Sequence, residues 1–523
     1  TTSATSSSAI SFLQAGSGAV TRTSQNKMRD IVSVKDFGAV GDGSTDDYAA
    51  IVLAIAASAG KALFWPAGTY KISAGLDTGT TQAICWYGEG HYRSIILYTG
   101  AATTGNIVNI GDGTATIKNV SLDNLTIQSS TTMTSGHGLN LRNLSESYID
   151  VVLQGQDGYA DYGNKLYNGI YFNKADSVVF AGDTIIAQND GLRVNGLIGA
   201  GNKADLWIYD TRIQECTVGI HCGGAFGGLY LINPSMTNND NHLLFDQTLI
   251  AETNRECFIT QGIFDVTTSG GAGVYFNAAD GLLFQATGSW FASSVSHGIH
   301  VAAAFLGKVL LSGCRLYNNT GDGIRVDSAS AAVTLSGCQI HNNTGYGINP
   351  NVAAHGVVYS ACYMASNTAG NVNATYSLAA AAGAAYRNGD QAYDNIQIID
   401  TDNSGTQLQI TNTGANGAGI KLTGDGGTTP NKSMRVIAGV LQFVNSAFTT
   451  VIGTLGDTGI LSLKDKLYPA TDAAAVQTNA GIFAGVGAPN NANGSNGDFY
   501  FRSDGGALTS VYQRRAGTWT GIV

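Results

Sequence analysis

The sequence predicts an all-β chain wound as a parallel β-solenoid, on three observations. Cys314, Cys338 and Cys362 step by 24 residues, and Asn319, Asn343, Asn367 and Thr320, Thr344, Thr368 keep the same step. Upstream, a Gly-aliphatic pair recurs at Gly298-Ile299, Gly273-Val274, Gly219-Ile220, Gly191-Leu192, Gly169-Ile170 and Gly138-Leu139, with Asn241-His242-Leu243 filling the widest gap. The mean interval is about 26 residues, a length suited to one solenoid coil. The third observation is composition: 69 Gly in 523 residues and only 12% charged side chains. Helical domains of this size carry more Lys and Glu on their solvent faces, and Gly without a G-X-Y period excludes collagen.

Within one period the short runs alternate as strands do, the aliphatics of Gly298-Ile299-His300-Val301 pointing one way and His300 the other. Stacked coils sit about 4.8 Å apart. Equivalent Cys then form an interior stack of reduced thiols, and equivalent Asn a turn ladder whose amides bond up and down. Seven Cys with no CxxC suggest neither a disulfide framework nor a zinc ribbon. No metal or cofactor is expected. Net charge is −10, a poor match to nucleic acid, and no basic cluster or long apolar run marks a membrane partner or membrane insertion.

Ahead of the coils, residues 31–110 read as a cap with a helix over 45–59. Ser44 or Thr45 caps that helix, Asp46 and Asp47 occupy its first turn, Ile51, Val52 and Ile55 form its buried face, and Gly60 ends it. A plug of this kind covers the first coil's core. The solenoid proper covers 111–376. Residues 377–470 begin with a small-residue bridge over 379–385, then alternate as antiparallel strands would, as in Gln407-Leu-Gln-Ile-Thr and Gly439-Val-Leu-Gln-Phe-Val. Residues 471–523 form a further β module.

Asp36-Phe-Gly-Ala-Val-Gly-Asp-Gly-Ser-Thr-Asp-Asp47 followed by Phe64-Trp-Pro-Ala-Gly-Thr-Tyr70 resembles the pectate-lyase-like opening of bacteriophage tailspike depolymerases. The stretches Thr429 to Ser446, Gly497 to Gly506 and Tyr512 to Trp519 resemble the modules that follow the helix in phage tail proteins, and residues 1–30 look like the remnant of a particle-binding neck. The resemblance implies a right-handed parallel β-helix and a homotrimer attached to the phage tail through the N-terminus. It also implies a virion protein acting outside the bacterial cell on a capsular or lipopolysaccharide glycan.

No GxSxG, HExxH, P-loop or dinucleotide fingerprint supports another enzyme class. Glycoside hydrolysis is the expected reaction; the alternatives are polysaccharide lyase chemistry, with a Tyr, His or Lys base near Arg, and a receptor-binding fibre that cuts nothing. Hydrolysis needs two carboxylates about 5–5.5 or 6.5–9.5 Å apart, spacings that neighbouring and next-but-one coils supply. Aligning coils puts Arg212, Ser235, Ile263, Phe291, Arg315, Gln339 and Tyr363 in one outward column. The next holds Gln214, Thr237, Asp265, Ser293, Tyr317, His341 and Ala365, while His221 and His300 face outward in another. Glu215 is the first choice of acid, because Glu is rare in turns; Asp240 or Asp265 is the second carboxylate, with Asp210 a further candidate. Arg212, Trp207, Tyr209, Glu252, Glu256, Tyr159 and Tyr162 are the expected substrate contacts. Asp190, Asp280 and Asp322, beside glycines, read as turn residues.

Overall fold

The computed structural model describes residues 6–156, 166–195, 205–224, 226–246, 255–352, 356–373, 418–422, 432–437, 440–445, 451–455, 461–463, 482–492, 494, 496–505 and 510–522. The chain divides into two units, residues 1–386 and 387–523.

The first unit is the solenoid. One coil comprises strands Asp205–Tyr209, Arg212–Gln214 and Val218–Cys222, and the next Gly228–Ile232, Ser235–Asn239 and Asn241–Phe245. Each pairs in parallel with its equivalent one coil on, giving three faces, here called first, second and third in chain order. The side-chain period of two sets the core. Ile213, Met236, Phe264, Phe291, Leu316 and Ile340 stack in register on the inside of the second face, each with no exposed surface. Each such side chain contributes about 1.5–3 kcal/mol by leaving water. The outward column of that face is Arg212, Ser235, Ile263, Trp290, Arg315, Gln339 and Tyr363. Phe291, expected there, faces the core instead, and Ala292 replaces Ser293 in the neighbouring column. Trp290-Phe291 sets two aromatics side by side, and with a period of two a one-residue slip exchanges inside for outside.

Both ladders form. Asn319 Nδ2 donates to Asn343 Oδ1 and Asn343 Nδ2 to Asn367 Oδ1, each at 2.8 Å. Cys314 and Cys338 are fully buried free thiols, with Cys362 partly buried beyond them.

The cap helix is shorter than expected, Tyr48–Ala57 with Asp47 at its N-cap position. Asp42–Asp46 pairs with Gly68–Ile72, which holds Ser44 and Thr45 in a strand. The Asp47 carboxylate turns back to accept from the Val40 and Gly41 N–H groups at 2.7 and 3.1 Å. Ile51, Ala54 and Ile55 are buried, whereas Val52 is 40% exposed.

In the second unit, Ala418–Leu422, Lys432–Ile437, Val440–Asn445, Val451–Leu455 and Leu461–Leu463 form an antiparallel meander. Ile482–Gly485 runs parallel to Phe499–Arg502, which continues antiparallel through Val511–Arg515 and Thr518–Gly521. The expected strand at 407–411 and bridge at 379–385 lie outside the described residues. No helix among the described residues is long and apolar enough to cross a membrane.

Candidate active site

The carboxylates singled out in the sequence are dispersed over the coil. Asp210 and Glu215 occupy two different corners, both with left-handed backbone (φ 49° and 60°). Asn233 and Asn238 hold the same corners one coil on (φ 54° and 55°). Asn233 Nδ2 donates to Asp210 at 2.8 Å, and Asn238 Nδ2 to Glu215 Oε1 at 2.9 Å. Both acids are therefore rungs of corner ladders. Glu215→Gln keeps an amide oxygen for Asn238 and is expected to leave activity within about twofold of wild type, as surface changes away from special features do. A loss of a hundredfold in a depolymerisation assay would return Glu215 to the chemistry.

Asp265 faces outward on the second face, in register with Thr237 and Ala292. Arg212 is exposed on the same face. On the first face, Trp207 stacks on Tyr230 (5.3 Å, 9°) and Tyr230 on Phe258 (5.5 Å, 12°), so the rings cover one another's faces along the solenoid axis. Tyr209 and Glu256 belong to first-face strands as well. Glu252, Tyr159 and Tyr162 lie outside the described residues. Two aspartates read as turn residues are ion-paired: Asp190 with Arg193 at 2.8 Å, and Asp280 with Arg255 inside the solenoid.

Of the four acids, Asp240 lines a groove. That groove, of about 450 Å³, runs along the third face and is lined chiefly by Asp240, Asn241, Tyr275, His297, His300, Arg325 and Asp327. Its wall follows from strand alternation. Val274 and Phe276, Ile299 and Val301, and Ile324 and Val326 point inward, leaving Tyr275, His300 and Arg325 in register outside. Asp240 accepts from the Thr268 hydroxyl and, at 3.1 Å, from the Ser269 N–H. A Cβ at Gly271 would collide with the Asp240 carbonyl, so glycine alone permits this close approach of the two coils.

The two groove histidines share one tautomer, with the proton on Nε2, assigned from their partners. His300 Nε2 lies 2.8 Å from Asp327 Oδ2. Arg325 Nε reaches both Asp327 oxygens at 3.0 and 3.1 Å, and Asn351 donates to Oδ1 at 2.9 Å. Burial works against the Asp327 charge, but these partners outweigh it and hold the carboxyl below its ordinary range. Burial lowers His300 as well, only partly opposed by Asp327. Neutral His300 thus donates Nε2–H to Asp327 and keeps a lone pair at Nδ1. In His297, Nδ1 accepts from the Asp322 N–H at 2.9 Å, so the ring proton sits on Nε2. Burial, against the pull of Asp322, brings His297 down to about 4. Tyr275 stacks on His300 at 4.8 Å, and the two imidazoles meet edge to face at 5.2 Å. The groove therefore offers a neutral base, a neutral N–H donor, a phenol and a guanidinium. Among the described residues, no group of three or more His, Cys, Asp or Glu is arranged to hold a metal.

Tyr275, His297, Arg325 and Asp327 were not singled out from the sequence. The available signal was the step of 25 residues that puts Tyr275, His300 and Arg325 in one outward column.

Residues 31–114 match the family model described as rhamnogalacturonase A/epimerase, pectate lyase-like, and residues 248–433 match that of the right-handed β-helix region. The tail spike protein of an Escherichia phage is 42% identical over 67 residues, 13% of this chain and 8% of that protein. Mannuronan C5-epimerase AlgE3 of Azotobacter vinelandii is 36% identical over 84 residues, 16% of this chain and 4% of that enzyme. The chain thus spans less than a tenth of either curated relative. Among solved structures, tailspike protein 3 of bacteriophage CBA120 aligns over 87% of this chain and 73% of its own, with 14% identity and a TM-score of 0.49. The resemblance to phage tailspikes with a pectate-lyase-like β-helix, read from the opening segment, is borne out by the family models and the match to the Escherichia phage tail spike.

Proposed function

We propose that the protein is a phage tailspike that depolymerises a uronate-containing bacterial surface polysaccharide by β-elimination in the third-face groove. The observation that carries this reading is a neutral His300, oriented by Asp327 and adjacent to Arg325, in one groove with His297 and Tyr275. His300 Nδ1 takes the proton α to the uronate carboxylate, and Arg325 offsets the negative charge that develops on that carboxylate. The C5–H electron pair forms the C4=C5 double bond, the C4–O4 pair leaves with the departing oxygen, and that oxygen takes a proton from His297 Nε2–H or the Tyr275 hydroxyl. Hydrolysis fits less well. The groove carboxylates Asp240 and Asp327 belong to coils three steps apart, Asn241–Phe245 to Ile324–Val326. At about 4.8 Å per step the coils alone are about 14 Å apart along the axis, and Asp240 precedes its strand whereas Asp327 follows its own, so the two lie beyond the reach of an inverting pair. Homotrimer formation and tail attachment through the N-terminus are part of the same proposal, supported by the tailspike resemblance.

The deciding experiment is incubation with purified capsular and O-antigen polysaccharides while following ultraviolet absorbance and reducing ends together. Elimination raises both in step; reducing ends without absorbance would sink it. The pH dependence has a definite sign. The reactive form is neutral His300, whose folded pKa lies below the usual 6.5. Activity should be level above pH 6.5 and fall only at lower pH, as the ring takes up a proton. A rate profile whose acid limb is centred above 6.5 would contradict this.

A further inference from the structure

The third face carries a second Arg–His–Asp set, on coils that precede the reacting one. Arg193, His221, Leu244, Tyr275, His300 and Arg325 form one continuous outward column in parallel register. His221 therefore stands three coil steps from His300, about 14 Å at 4.8 Å per step. The two ends of the column repeat one chemistry: a His whose Nε2 meets an Asp just past the paired strand one coil on (Asp246 at 2.9 Å, Asp327 at 2.8 Å) and an Arg one coil away.

They differ in one group. His221 has a second carboxylate, Asp190, whose Oδ2 lies 3.0 Å from Nδ1 and which also takes the Arg193 guanidinium at 2.8 Å. Burial opposes charge on His221, but the bonds to Asp190 and Asp246 overcome it and push the ring up to about 9. Protonated at both ring nitrogens, with Nδ1 donating to Asp190 and Nε2 2.9 Å from Asp246, His221 has no lone pair to act as a base. It is a fixed cation. Asp190 is sunk beneath its partners, its side chain only 1% exposed, while the Arg193 side chain remains 32% exposed. Asp190 thus points inward, while the Arg193 guanidinium and Asp246, 29% exposed, face outward on the third face along which the groove runs.

We propose that Arg193, backed by the His221 imidazolium, is a binding subsite for an anionic substituent of the same glycan chain, three coils from the reacting residue. Asp190 is what makes this node a binding centre and not a second reacting one. The subsite rests on the groove being the glycan-binding surface, but not on elimination being the reaction.

The test uses the full chain carrying His300→Ala, to prevent turnover, with Arg193→Gln, Arg193→Lys and His221→Gln added singly. Binding is measured calorimetrically to uronate-containing capsular polysaccharides and to their carboxyl-reduced forms. Arg193→Gln is expected to weaken binding of the acidic polymer about tenfold and to leave the reduced polymer unchanged, with Arg193→Lys recovering most of the loss. His221→Gln should fall between them. Unchanged affinity for the acidic polymer, an equal loss on both forms, or no binding of any acidic polymer would each overturn the subsite. Should Arg193→Gln unfold, the Lys and His221→Gln variants carry the test alone. If wild-type protein yields only saturated ends, elimination falls, while an Arg193 effect confined to the acidic polymer still upholds the subsite.

Discussion

His300→Ala is expected to lower the turnover of the depolymerisation reaction by 10²- to 10⁴-fold, the range that a positioned general base supplies. The loss should appear in kcat with little change in KM, because the imidazole is asked to act on a proton and not to hold the chain. Asp327→Asn provides the companion measurement. The amide can donate where the carboxylate only accepts, so the His300 tautomer is no longer fixed with its lone pair at Nδ1. The acid limb of the rate profile should also move, since Asp327 is the partner that opposes the fall of the His300 pKa. Full activity in His300→Ala, with folding verified by its melting curve, would remove His300 from the mechanism and leave the groove as a binding surface.

Arg255→Ala is expected to cost about 3–5 kcal/mol of stability, the penalty for stranding one charge of a buried pair. Both side chains are only 2% exposed. The guanidinium also lies over Phe226, 4.3 Å from the ring centroid, so its loss removes packing as well as charge. Burial holds the Asp280 carboxyl above its ordinary range even with Arg255 beside it. Without the arginine, Asp280 must become protonated or open the coil. The melting temperature of Arg255→Ala should drop by several degrees, and replacing both partners by Met and Leu should recover much of it. A single variant as stable as wild type would refute the assignment of this pair as a structural element.

The solenoid was legible in the sequence because its physics repeats. Cys314 and Cys338, or Asn319 and Asn343, meet the same neighbours one coil apart, so spacing alone reveals the stack. The groove was far less legible. Asp240, Tyr275, His300 and Asp327 derive from four different coils, and their meeting depends on register, which Trp290-Phe291 shows can be misread by one residue. Glu215 illustrates a different limit. A glutamate in left-handed backbone is uncommon, and the corner ladder that holds it there was not visible in the spacing. Backbone conformation at a single corner is not written in the 3.6 and 2.0 periodicities from which elements are read.

The step between coils is set by backbone hydrogen bonding, so it is nearly constant whatever side chains the coils carry. The third face is accordingly graduated like a ruler, with the Arg193–His221 node and His300 as two fixed marks three divisions apart. Duplicating one intervening coil, for example residues 274–298, would lengthen that interval by a single division without altering either mark. Sequence drift in such proteins can thus retune side chains freely, while a change in the measured length must come in whole coils.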